Sequence, residues 1–124
     1  MIVYDAGALV AAERNERTMW ALHDSVLRRG LSPLVPVGVL AQVWRGGPQA
    51  SLSRLLSGCV ITPLDERLAR AAGVLCGKAG SADVIDASVI ALAQLLDAAV
   101  VTGDAHDLQA LADAVGFDIT LQQI

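Results

Sequence analysis

Two carboxylates stand three residues apart in Ser81-Ala82-Asp83-Val84-Ile85-Asp86-Ala87-Ser88, at the head of an apolar run that reaches Leu96. Positions i and i+3 of a helix share a face, so Asp83 and Asp86 are expected to project together. One reading is local: an N-cap Asp with an acid three residues on resembles a capping box, and the helix dipole stabilises such acids without a ligand. The other is chemical and depends on where further acids fall. Asp5 ends the apolar stretch Ile2-Val3-Tyr4, and Asp104 follows the apolar residues 98–102, with Asp107 close behind. Carboxylates gathered without basic partners repel one another, and a hard divalent cation with oxygen ligands is the usual counter-charge. Magnesium takes one or two carboxylates, keeps several waters and meets phosphate oxygens, so such a site suits phosphodiester hydrolysis. No serine nucleophile elbow and no glycine-rich phosphate loop after the first strand competes with it.

The elements that must position these acids alternate. Residues 2–5 read as a short strand and 6–12 as a short helix, with a charged break over 13–17. Met19, Leu22 and Val26, with Trp20 and Leu27 beside them, have helical spacing up to a stop at Gly30. Leu34-Val35 is a second strand, with Pro36 at the first turn of a helix through Val39, Leu40, Val43 and Trp44, broken by Gly46-Gly47-Pro48. Residues 49–56 form a short helix ended by Gly58, and Val60-Ile61-Thr62 is the third strand. Leu64, Leu68, Ala71, Ala72 and Leu75 mark an amphipathic helix with Gly77 as its C-cap. After the acid-bearing helix come a buried strand over 98–102, a helix with Leu108, Leu111 and Ala112 that stops at Gly116, and a last strand over 117–121. This alternation predicts an α/β fold: a central, mostly parallel sheet of about five strands with helices on both faces. Ligands of such sheets sit beyond the carboxyl ends of the strands, at a topological switch point, where Asp5 and Asp104 are expected.

At 124 residues the chain is expected to be a single domain, 1–124. It is 54% hydrophobic with four aromatic residues, so its core must be aliphatic. A net charge of −4, with Lys78 the only lysine, gives no global attraction to nucleic acid, so a polyanion would be held by local arginines or by metal. Met1-Ile2-Val3-Tyr4-Asp5 lacks the basic start of a signal peptide, and the longest apolar run, 89–96, contains Gln94 and is too short for a bilayer. A cytoplasmic protein with no membrane partner is the expectation. Cys59 and Cys76 lack metal-type spacing and read as free thiols, with a single disulfide left open. His23 reads as an ordinary half-buried side chain, and His106 is turned away from a neighbouring acid by its helix. Trp20 and Trp44 lie on apolar helical faces and read as core or interface residues.

Four segments, in this order, carry a resemblance that covers essentially the whole chain. They are Val3-Tyr4-Asp5-Ala6-Gly7-Ala8-Leu9, Val35-Pro36-Val37-Gly38-Val39-Leu40-Ala41-Gln42-Val43-Trp44-Arg45, Ala82-Asp83-Val84-Ile85-Asp86-Ala87, and Val101-Thr102-Gly103-Asp104 with Asp107-Leu108. Together they resemble the PIN-domain nucleases, and within these the VapC toxins of bacterial toxin–antitoxin pairs. The resemblance implies a PIN-like three-layer sandwich and a Mg2+- or Mn2+-dependent endoribonuclease. Asp5, Asp86 and Asp104 fall on the family's metal-binding acids, Asp83 and Asp107 on auxiliary acids, and Thr102 on a supporting hydroxyl. The implied partners are RNA, an antitoxin of the VapB type and a second copy in a homodimer. Gln42 stands where the family has Glu: a carboxamide keeps an oxygen donor and loses the charge, leaving a non-catalytic binding module as the alternative. Arg45, at i+3 from Gln42, and Arg14 are candidate contacts for RNA phosphate or an antitoxin, with a solvated surface role open for both. A receiver domain shares this length and alternation. It needs a phospho-accepting Asp after the third strand and a Lys after the fifth, whereas here the third strand leads into Thr62-Pro63-Leu64-Asp65 and Lys78 lies on a helix.

Overall fold

The computed structural model describes all 124 residues. Strand β1 (Ile2–Tyr4) leads into helices α1 (Ala6–Glu13) and α2 (Arg17–Arg28). Strand β2 (Leu34–Pro36) is followed by α3 (Val37–Val43) and α4 (Ala50–Leu56), and β3 (Val60–Thr62) by α5 (Glu66–Ala79) and α6 (Val84–Leu96). Strand β4 (Ala99–Thr102), α7 (Ala105–Ala114) and β5 (Leu121–Gln123) complete the chain. The strands form one sheet of order β3-β2-β1-β4-β5, and every pairing is parallel.

Helices cover both faces, as parallel crossovers require. Helices α1, α2 and α4 pack as one group, and α5, α6 and α7 as another, while α3 touches both α1 and α6. Residues 87–93 of α6 are all buried, because that helix is apolar on every side and packs against β1, β2 and β4 as well as its helical neighbours. Tyr4, Leu9, Met19, Leu52, Leu55, Ile90 and Leu108 are fully buried in an otherwise aliphatic core, each worth about 1.5–3 kcal/mol of hydrophobic stabilisation. No single helix is long and apolar enough to cross a membrane.

Several boundaries shift by a residue from the sequence expectation, and three differences have a structural cause. Gly77 lies inside α5, and the cap is Gly80, in the left-handed region at φ 66°. Pro36 is the last residue of β2, paired with Thr62, and precedes α3 rather than occupying its first turn. The last strand is 121–123, not 117–121: Phe117 and Ile119 give that stretch its apolar character by packing on the core from a loop, and polar Gln122 and Gln123 make the edge pairs with Val101 and Thr102.

Cys59 and Cys76 are both free thiols. His23 is buried rather than half-buried: its Nδ1 and the Tyr4 hydroxyl share a hydrogen bond of 2.9 Å, and burial holds its pKa below the ordinary value against the opposing charge of Asp24. Trp20 is half-buried, donates to the Ala12 carbonyl at 3.0 Å and lies under the Arg54 guanidinium at 4.2 Å. Trp44, at the end of α3, is 43% exposed and so does not belong to the core.

Candidate active site

Chain connections leave β1 towards β2 and β3 on one side, and β4 towards β5 on the other, so the switch point lies between the adjacent carboxyl ends of β1 and β4. Asp5 follows β1 there and is 6% exposed. One carboxylate oxygen accepts the Ala8 N–H at 2.9 Å and caps α1; the other accepts the Thr102 hydroxyl. That hydroxyl in turn accepts the Asp104 N–H at 2.9 Å, so Thr102 ties the first acid to the last. Burial raises the Asp5 pKa, opposed by hydrogen bonds from Thr102 and from the N–H groups of Ala8, Gly103 and Gly7. Glycine permits this contact: a Cβ on Gly7 would lie 2.7 Å from the Gly103 nitrogen, inside any real contact distance.

Asp83 is the N-cap of α6 and accepts the Asp86 N–H at 3.0 Å. Asp86, in the first turn, is half-buried, and its pKa is pushed up to about 6. Burial is the main cause, followed by the charge of Asp83, a hydrogen bond with it, and the charges of Asp5 and Asp107. The local reading of this acid pair is correct: Asp83 caps the helix, and both acids also line a cavity. Asp104 caps α7 by accepting the His106 N–H at 3.1 Å, and His106 itself is exposed and outside the cavity.

Asp5, Asp83, Asp86, Asp104 and Asp107 line one cavity of about 460 Å³, with Gln42 on its wall. None of the five is in an ion pair; the ion pairs of the chain are Arg28–Asp24 and Arg70–Glu66 on its surface. Arg14 is the one basic side chain lining the cavity. Arg45 is not brought there. Its guanidinium turns back to the carbonyls of Gln42 and Trp44, each at 2.8 Å, because the last carbonyls of a helix lack intrahelical donors. Glu16 and Ile124 also line the cavity and went unnoticed in the sequence, Glu16 because it sits in a charged break and Ile124 because an apolar residue near a strand reads as core. A hard divalent cation matches this all-oxygen, unpaired donor set. No group of three or more His, Cys, Asp or Glu side chains, these acids included, is gathered closely enough to hold a metal ion as it stands.

A family model for the PIN domain matches residues 2–114. No curated protein matches the sequence. Among solved structures, VapBC2 from Rickettsia felis, bound to a DNA fragment from its promoter, superposes with a TM-score of 0.77 at 15% identity, covering 100% of this chain and 99% of that one. A toxin–antitoxin complex from Klebsiella pneumoniae gives 0.68 at 19% identity over 86% and 89% of the two chains. FitAcB from Neisseria gonorrhoeae gives 0.65 at 17% identity over 98% and 96%. At these identities the structural likeness speaks for the fold.

Proposed function

The chain belongs to the PIN-domain family, and on that premise we propose that it is a VapC-type toxin, a cytoplasmic, metal-dependent endoribonuclease held in check by a VapB-type antitoxin. The observation that carries this reading is the convergence of five unpaired aspartates on one cavity at the sheet's switch point. Asp5, Asp86 and Asp104, with Asp83 beside them, are the proposed holders of Mg2+ or Mn2+. Such an ion, when bound, neutralises charge developing on a phosphodiester and acidifies water. Thr102 keeps the Asp5 carboxylate oriented by donating to it, and Asp107 adds negative charge around Asp86. Arg14, at the wall of an otherwise acidic cavity, is the proposed contact for an RNA phosphate or an acidic antitoxin group. A homodimer and an antitoxin that covers the cavity complete the proposal, which draws on the toxin–antitoxin complexes among the structural relatives. Divalent-dependent cleavage of RNA by the wild type, abolished in Asp5→Ala, is the expected result; equal activity in the two proteins overturns the enzyme.

A second reading follows from Gln42, a neutral carboxamide on the cavity wall. In it the protein binds RNA or antitoxin without turnover. Silence of the natural protein together with cleavage by Gln42→Glu would favour it.

A further inference from the structure

Asp104 is held by a loop whose backbone is satisfied almost entirely by side chains. Its own N–H goes to the Thr102 hydroxyl, and its carboxylate takes the His106 N–H. The groups on either side of it, the Gly103 carbonyl and the Ala105 N–H, are both taken by one residue from another element. The Gln123 amide nitrogen donates to the Gly103 carbonyl at 2.7 Å, and its amide oxygen accepts the Ala105 N–H at 2.9 Å. The backbone reinforces the grip: Gln123 pairs with Thr102 in the sheet, and the Ile124 N–H donates to the Thr102 carbonyl at 3.0 Å. A carboxamide is the side chain that can bracket a peptide segment in this way, with one donor and one acceptor at fixed separation.

We infer that Gln123, on the edge strand β5, is a positioning residue that fixes the Gly103-Asp104-Ala105 turn and so aims the Asp104 carboxylate into the cavity. It touches neither substrate nor cation. Groups that orient a ligand from behind govern affinity and rate without entering the coordination shell. The inference rests on the cation-binding reading of the cavity given above.

The test uses Mn2+ alone as probe. Gln123→Ala is expected to weaken Mn2+ binding about 10-fold, measured by the EPR signal of free ion, and to speed hydrogen exchange at the Ala105 amide. Gln123→Met, of similar length and without the amide, should do the same. Gln122→Ala, next to it on the same edge strand, should leave Mn2+ binding unchanged, which separates aim from general loosening of β5. In an Asp104→Asn background the Gln123 substitution should produce no further loss, because Gln123 acts only through Asp104. If wild type and both Gln123 variants bind Mn2+ equally, the inference falls while the cation reading stands. If the Gln123 effect persists undiminished in Asp104→Asn, it also falls. A wild type that binds no Mn2+ removes the cation reading, and this inference with it.

Discussion

At the scale of the residue, Asp86 is the acid whose environment is most at odds with its charge. Its pKa of about 6 means that, between the ordinary carboxylate value and that figure, the folded protein holds a proton the unfolded chain has released. The sign follows: in chelator-treated protein this contribution to stability is present at low pH and is lost as pH rises through about 6. Asp86→Asn has no such group. Its urea midpoint at neutral pH is expected to exceed that of the wild type, the gap shrinking as pH falls towards 4, while RNA cleavage is lost. A wild type that matches the variant at every pH would contradict this account. The acids themselves were legible in the sequence because type and spacing carry the signal: an Asp after an apolar strand, or three residues before another on a helix. Arg45, for which a cavity and a surface position were both open, could not be placed from the sequence for a physical reason. Its i+3 relation to Gln42 fixes a direction only within the helix, and α3 ends at Val43, where open carbonyls compete for the guanidinium.

At the scale of the element, the site depends on α1 pressing its first turn against the loop between β4 and α7. Gly7→Ala drives a Cβ into the Gly103 backbone and is expected to destabilise by about 1–3 kcal/mol, with loss of activity, since backbone cannot rotate aside. Gly73→Ala, inside α5 with nothing within 4 Å of the added carbon, should instead stabilise by about 0.5–1 kcal/mol. Thermal melts of the two variants check both. Helix α2 offers a second prediction. His23 is buried, which lowers its pKa, so its contribution is present above the unfolded value and lost as pH falls below about 6.5. His23→Gln should therefore close its stability deficit relative to the wild type between pH 7 and pH 5, by chemical denaturation. Most elements were readable from periodicity and from glycine and proline breaks. The bounds of strand β5 were not, because an edge strand with Gln122 and Gln123 has no apolar signature, and its pairing is fixed by a sheet that local pattern does not describe.

At the scale of the whole molecule, the order β3-β2-β1-β4-β5 puts the first strand in the middle and makes every pairing parallel, hence non-local. Such contacts must close long loops before they are rewarded, so refolding of the chelator-treated protein is expected on the millisecond-to-second scale by stopped-flow fluorescence of Trp20 and Trp44. The same topology has a consequence during synthesis. Asp5 meets Thr102 across 97 positions of sequence, so the first acid leaves the ribosome with only its local partner, the Ala8 N–H, at hand. At about 5–20 residues per second, roughly 5–20 s pass before Thr102 and Asp104 follow it. Until then β1 lacks its neighbour β4, and the second oxygen of the Asp5 carboxylate lacks the Thr102 hydroxyl. The cavity cannot assemble on a growing chain before its fourth strand has emerged, so the very order of the strands postpones the gathering of the acids until translation of the fold is nearly over.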